Sequence, residues 1–222
     1  MKIGIIVAME KELKQLQELH RENMIVQQCG IGKVNAALGA VEMIHQHKPD
    51  VIISSGCAGG NGDDINIQDI VVSTQLVYHD VWCGTAVGSS VYGQVQGLPE
   101  RFEADPYLLA KAQELSVACA ATESQHTQRI AIHPGLIATG DWFVDTKEKM
   151  REIIGHFPEA KAVDMESAAI AQTCYIYKVP FISFRVISDI PLRDTDASQY
   201  HNFWETIAEN SFQVTKSFFE SL

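Results

Sequence analysis

Three carboxylates, Glu12, Glu166 and Asp189, occupy positions from which acid–base chemistry can be done. Glu12 follows an apolar N-terminal run by one turn. Glu166 comes straight after Ala162-Val163-Asp164-Met165 and opens a helical pattern, and Asp189 ends the apolar run Phe181–Ser188. In open α/β sheets ligands bind beyond the carboxyl ends of strands, and all three side chains gather there if those runs are strands. Carboxyl groups in such a cleft can hold hydroxyls, give a proton or take one. Each has a plainer reading. Glu12 could belong to an exposed, charged helix face, and Glu166 could be a first-turn residue favoured by the helix dipole. Asp189 is the hardest to dismiss, because Ile190-Pro191 offers it no helix to cap.

Other motifs carry less. Gly30-Ile31-Gly32-Lys33 suggests a phosphate loop, but a Walker loop needs Gly at 27 and Ser or Thr at 34, where Gln27 and Val34 stand. A dinucleotide fingerprint fails at Asn35. The segment reads as a tight strand-to-helix turn. Cys57 with His79 invites a thiolate nucleophile, yet no electropositive setting or partnered His is visible around it. His45 and His47, two apart on a helix, point to different faces and cannot chelate together. No grouping has metal-ligand spacing, so neither a metal nor a cofactor is expected.

The elements that must position the carboxylates alternate between short β-branched runs and longer helical ones. Strands are expected at Lys2–Ala8, Met24–Gln28, Val51–Ser55, Ile70–Tyr78, Gln128–Thr139 and Phe181–Ser188. Helices are expected through Leu13, Leu16 and Leu19, over Lys33–His47, from Asp105-Pro106, from Asp145 to near His156, over Glu166–Tyr177, and from Phe203 to the end. Asp145 with Glu148 is a capping-box signal. The stretch from His79 to Arg101 has no clean period. This alternation predicts one α/β domain over 1–222, a central mixed and largely parallel sheet with helices on both faces.

Bulk properties narrow the partners. A 222-residue chain with 46% hydrophobic and 20% charged residues is ordinary for a folded domain. Its net charge of -11 disfavours nucleic acid and anionic membranes, and no apolar run reaches the roughly 18 residues a membrane span needs. Met1–Ala8 is basic then apolar, like a signal peptide, but acidic Glu10 and Glu12 follow at once and it reads as a first strand. Five cysteines, Cys29, Cys57, Cys83, Cys119 and Cys174, are scattered singly, which suits reduced thiols in a cytoplasm.

Longer stretches carry a resemblance. MKIGIIVAMEKE at the N-terminus, GIGKVNAALGA at 30–40, PDVIISSGCAGG at 49–60, DIVVSTQLVYHD at 69–80, TGDWFV at 139–144, AVDMESAAIAQ at 162–172 and FRVISDI at 184–190 occur in one order along almost the whole chain. With them the chain resembles the 5′-methylthioadenosine/S-adenosylhomocysteine nucleosidases of the purine nucleoside phosphorylase superfamily. The resemblance implies hydrolysis of an N-glycosidic bond in an adenine nucleoside. Glu12 would be the general base for water, helped by Arg185, and Asp189, oriented by Ser188, the general acid at N7 of adenine, with a raised pKa. Glu166 would hold the ribose hydroxyls over Met165. Phe143 would stack on the base while the Val144 backbone reads its edge. Cys57, Ala58 and Gly59 would line the pocket, and Met9, Ile31 and Phe203 the 5′ thioether slot.

Three departures stand out. The stretch between Glu12 and Ile31 is shorter than in the family, so a hairpin is expected to be missing. Cys57 stands where a Ser often holds the water, and Asp164 where Glu is more usual. The nearest rivals are a phosphorylase, disfavoured by a carboxylate where a phosphate loop would lie, a nucleosidase for another purine nucleoside such as futalosine, and a non-catalytic binding protein on the same scaffold. The irregular 79–101 stretch carries Val81, Trp82, Val87, Val91, Tyr92, Val95 and Leu98. Such a segment must be buried somewhere. The resemblance implies a homodimer in which it completes the neighbour's site.

Overall fold

The protein's structure is a computed structural model describing residues 1–16, 19, 21–84, 91–121, 130–193, 198–206 and 208–222. Its first strand shows how the layers form. β1 (Ile3–Val7) is buried throughout. Ile3, Ile5 and Val7 pack on one side of the sheet and Ile6 on the other, as a period of two requires. Gly4 faces α2 (Lys33–His47) on that second side, where a Cβ would come within 2.9 Å of the Met43 side chain. The absent side chain lets helix and strand approach closely.

β1 lies between β2 (Met24–Gln28) and β3 (Val51–Gly60), parallel to both. β3 continues parallel to β8 (Phe181–Asp189) and antiparallel to the end of β7 (Ala160–Asp164). β7 runs parallel to β6 (Ile132–Thr139), and β6 to β4 (Ile70–Tyr78). β4 then pairs antiparallel with β8, so β3, β7, β6, β4 and β8 close on themselves. The mixed, largely parallel sheet expected from sequence is present, and its closure is new. Every residue of β8 is buried, the mark of a strand paired on both edges and covered on both faces.

Helices cover two sides. Leu16 at the end of α1 (Glu10–Leu16), Leu108 and Ala112 of α3 (Pro106–Ala121), Phe203 of α6 (Ser198–Thr206), and Phe212, Phe218 and Phe219 of α7 (Ala208–Glu220) pack together on one. α2 and α5 (Ser167–Tyr177) occupy the other, where Ala36, Ala40, Ala168, Ala169 and Ala171 allow tight packing. α4 (Lys147–His156) seals a third cluster through Met150 and Ile153.

Several boundaries differ from expectation. β7 and the two-residue β5 (Phe102–Glu103) were not foreseen, because the Ala-Lys-Ala-Val-Asp of β7 has one β-branched residue and β5 is too short for any pattern. β3 extends five residues past Ser55, through Gly56-Cys57-Ala58-Gly59-Gly60, small residues that pairing with β8 holds extended. The cap of α4 is Thr146, whose hydroxyl accepts from the Lys149 amide at 3.3 Å, and not Asp145. The last helical stretch is already present at Ser198, five residues before the expected Phe203, and is described as α6 and α7. β6 starts at Ile132; Gln128 and Val87 lie outside the described residues.

Phe184 on β8 stacks on Phe218 with ring centroids 4.6 Å apart and planes 8° from parallel. Phe184→Ala should cost about 3–5 kcal/mol, since a closed core collapses poorly around a lost ring. Denaturant unfolding will measure it; a loss below about 1 kcal/mol would mean α7 is not docked this way.

Candidate active site

Glu12 is folded back from the first turn of α1 and is buried, not on an exposed face. One carboxylate oxygen, Oε2, accepts from the Ala8 and Met9 amides, each at 2.9 Å, and Oε1 accepts from the Cys57 amide at 3.0 Å. Backbone donors of the β1–α1 turn and of β3 thus fix one side chain. Burial raises its pKa above the ordinary carboxylate value, although Arg185 and these amides work the other way.

Arg185 lies behind the cleft on β8, 1% exposed. Nε pairs with Asp164 Oδ2 at 2.8 Å, Nη2 donates to Ser54 Oγ at 2.7 Å, and Glu166 Oε2 is 3.8 Å from Nη2. Burial opposes its charge, but Asp164, Glu166 and Glu12 more than compensate, so it stays a cation. The Asp164 carboxylate also accepts from Thr139 Oγ1 at 2.5 Å and from the Ser167 hydroxyl. It is therefore engaged in holding Arg185. Gly56 explains itself here: a Cβ would overlap Arg185 Nη1 and lie 2.6 Å from Glu12 Oε1.

Glu166 caps α5 and is buried, its Oε1 accepting from the Gly32 amide at 3.0 Å. Gly32 has φ +91°, a conformation that L side chains rarely adopt. Burial pushes the Glu166 carboxyl up to about 7, against the pull of Arg185 and with the help of Asp164. Asp189 ends β8 at a register shift, with Ile187 opposite Ala58 and Asp189 opposite Gly59. Ser188 is the extra residue, and such bulges re-aim side chains. Its hydroxyl donates to Asp189 Oδ1 at 2.7 Å.

Glu12, Glu166 and Asp189 line one cleft. Met9, Ile31, Cys57, Ala58, Gly59, Phe143, Val144, Met165 and Ser188 line it too. Phe203 does not. It is fully buried in the helical core, and the wall position falls to Tyr200, its neighbour three residues earlier on α6. The Tyr200 hydroxyl points at Met9 Sδ, 3.6 Å away, and its ring meets Phe143 edge-on at 5.3 Å. Sequence reasoning also missed Trp142 at the mouth, although it adjoins Phe143 in TGDWFV. The Cys57 thiol is pushed well above its ordinary pKa by burial and by the Glu12 charge, and His79 is not on the cleft wall. A thiolate nucleophile has no support in this setting. Between Glu12 and Ile31, α1 is described to Leu16 and β2 leads directly to the Gly30–Gly32 turn, with no hairpin among the described residues. Among the described residues no group of His, Cys, Asp and Glu has the arrangement to hold a metal ion, and no helix is long and apolar enough to cross a membrane.

Residues 16–220 match the family model described as the phosphorylase superfamily. A 5′-methylthioadenosine/S-adenosylhomocysteine nucleosidase of Exiguobacterium sp. is 37% identical over 96% of this chain and 95% of its own. The chain belongs to this nucleosidase family. A Geobacillus sp. nucleosidase is 36% identical over 100% of this chain and 99% of its own. Among solved structures, the Neisseria meningitidis nucleosidase in complex with methylthio-immucillin-A superposes with a TM-score of 0.88 at 34% identity, covering 100% of this chain and 99% of that one. The Colwellia psychrerythraea nucleosidase in complex with adenine gives 0.88 at 33% identity, covering 100% and 96%.

The raised Glu166 pKa gives this nucleosidase-family chain a testable pH signature. A carboxyl that titrates near 7 folded and near its ordinary 4.5 unfolded favours folding most below pH 4.5. That contribution is lost as pH rises through 7. Glu166→Gln should therefore melt higher than wild type at pH 8, with the gap closing toward pH 4.5. Thermal melts across this range will test it, and a variant that melts lower at pH 8 would contradict the assignment.

Proposed function

We propose that this protein hydrolyses the N-glycosidic bond of 5′-methylthioadenosine and S-adenosylhomocysteine, releasing adenine and the 5-thioribose sugar. The observation that carries the reading is the charge of the cleft wall. Glu12, Glu166 and Asp189 line it, and no Lys, Arg or His side chain does among the described residues. A phosphate acceptor would be repelled. Water would not, and neither would a sugar gaining positive charge. The names of the relatives and the adenine and methylthio-immucillin-A complexes of the solved neighbours point the same way.

Adenine leaves poorly as an anion, so N7 must gain a proton as the bond to C1′ breaks. Asp189, with Ser188 bonded to it, is the general acid for that step. The ribose becomes oxocarbenium-like, and the neighbouring carboxylates stabilise it electrostatically. Glu12 takes the proton of the attacking water, a role its burial favours by raising its basicity. Arg185 acts through Glu12, Asp164 and Glu166, since it lies behind the wall. Glu166 holds the ribose hydroxyls with Met165 beneath the sugar. Phe143 stacks on the base, the Val144 backbone reads its edge, and Cys57, Ala58 and Gly59 complete the base and ribose pocket. Met9, Ile31 and Tyr200 form the apolar slot for the thioether.

Assembly is part of this proposal. Val34 and Leu38 on α2 are 70% and 64% exposed, Trp82 is exposed as well, and so are Ile31 and Trp142 on the cleft wall. No described residue of the 79–101 stretch lines the cleft of its own chain. Both facts support a two-fold homodimer in which this stretch closes the partner's slot, over an apolar interface above about 2,000 Å². Cys29, Cys57, Cys83 and Cys174, which are free, support a cytoplasmic setting.

In phosphate-free buffer the protein should release adenine from methylthioadenosine with free 5-methylthioribose as the other product. Strict phosphate dependence with a sugar 1-phosphate product would sink the proposal. Asp189→Asn should lower the rate by at least about 10²-fold with the fold intact, as expected for removal of a general acid. Sedimentation should find a dimer whose dilution weakens substrate binding; a fully active monomer would refute the shared site.

A further inference from the structure

Lys33, the first residue of α2, joins the parts of the chain that carry the two halves of the nucleoside site. Its ammonium donates to both carboxylate oxygens of Asp80, at 2.8 and 2.7 Å, and lies 3.8 Å from Asp141 Oδ2. Its backbone amide donates to Asp141 Oδ1 at 2.7 Å, and the Asp141 amide donates to Asp80 Oδ2 at 2.8 Å. The bonds close a ring. Asp141 also crowds Gly32, where a Cβ would lie 2.9 Å from its Oδ1.

Three stretches distant in sequence meet in that ring. The first is the 30–33 turn, which brings Ile31 to the cleft and aims the Gly32 amide at Glu166. The second is the loop after β6, which carries Trp142, Phe143 and Val144 on the cleft wall. The third is the start of the 79–101 stretch. The Lys33 ammonium also lies 5.4 Å from the Tyr78 ring centroid, and the Tyr78 hydroxyl donates to Gln172 of α5, the helix that Glu166 caps.

Magnitudes separate holding the fold together from placing a loop. The Lys33 and Asp80 side chains are each 24% exposed and Asp141 is 47% exposed. Pairs this open to water contribute about 0–1 kcal/mol to stability. Placement is more sensitive, because a shift of about 1 Å in a binding group can lower a rate by about 10²-fold.

We propose that the Lys33–Asp80–Asp141 ring is a positioning device that holds the base-binding loop 141–144 in register with the turn that orients Glu166. Adenine and ribose are then met at one fixed separation. Lys33, Asp80 and Asp141 touch no substrate in this arrangement and act through Phe143, Val144 and Glu166. The assignment rests on the nucleosidase reading above.

Lys33→Met, Asp80→Asn and the double variant test it by amide hydrogen exchange, steady-state kinetics with methylthioadenosine and thermal melts. Expected for Lys33→Met are exchange over 139–146 and a KM each raised by about tenfold or more, with kcat lowered less than about threefold and little change in melting temperature. The double variant should be no worse than the worse single variant, because the residues act as a unit. Unchanged exchange over 139–146, a KM within about twofold of wild type, or fully additive effects would each overturn the proposal. A wild-type protein inert toward methylthioadenosine would defeat the nucleosidase reading, while the exchange measurement would still judge the ring.

Discussion

A guanidinium removed from water needs negative charge and hydrogen-bond acceptors close by, and Arg185 imposes that need on much of the surrounding structure. Asp164 pairs with it, Ser54 and Ser167 accept from it, and Glu166 and Glu12 lie within its field. The dependence is mutual. Buried carboxylates this close together would otherwise be driven to protonate, and removing one partner of such a group leaves a buried charge uncompensated. The cation also determines what its neighbours can be. Gly56 must lack a side chain because Arg185 and Glu12 fill the space a Cβ would take.

Closure of the strand ring brings these groups together. β8 carries both Arg185 and Asp189, pairs with β3 on one edge and with β4 on the other, and so cannot slide without breaking two registers. The bulge at Ser188 falls where the strand reaches the cleft, and turns Ser188 and Asp189 onto its wall. Glu12 arrives from the β1–α1 turn and Glu166 from the β7–α5 junction. Backbone amides belonging to other segments, Cys57 and Gly32, then fix their carboxylates. The site is assembled from rigid elements, and such support is what precise placement requires.

The cleft combines two environments. Its carboxylate side faces a buried cation that is out of reach of a ligand, so the charge a ligand meets is negative. Its other side is apolar, made by Met9, Ile31, Phe143 and Tyr200. A neutral nucleoside with a thioether at one end and a sugar that becomes cationic during reaction matches both. Trp142, Phe143 and Ile31 are the exposed apolar residues of the cleft wall.

By itself, the sequence determined the elements with a strong period and the residues inside long matching stretches. Strands such as β2 and β4 were legible to the residue from their β-branched, apolar runs, and the helix α2 from Ala36, Gly39, Ala40 and Met43, buried at helical spacing. Glu12, Glu166 and Asp189 were legible as a group, because strand ends converge in this fold class. Only the tertiary structure decided the rest. β7 is Ala-Lys-Ala-Val-Asp, with a single β-branched residue, and β5 is two residues long, so neither carries a strand signal of its own and both exist through pairing with neighbours. Closure of the sheet depends on β8 meeting β4, a contact between residues more than a hundred apart. The exchange of Phe203 for Tyr200 on the cleft wall is invisible in α6 alone, because side chains three apart are neighbours on a helix and both residues are aromatic. Local pattern records which side chains avoid water; which of them line a cleft and which fill a core is settled by the distant segments packed against them.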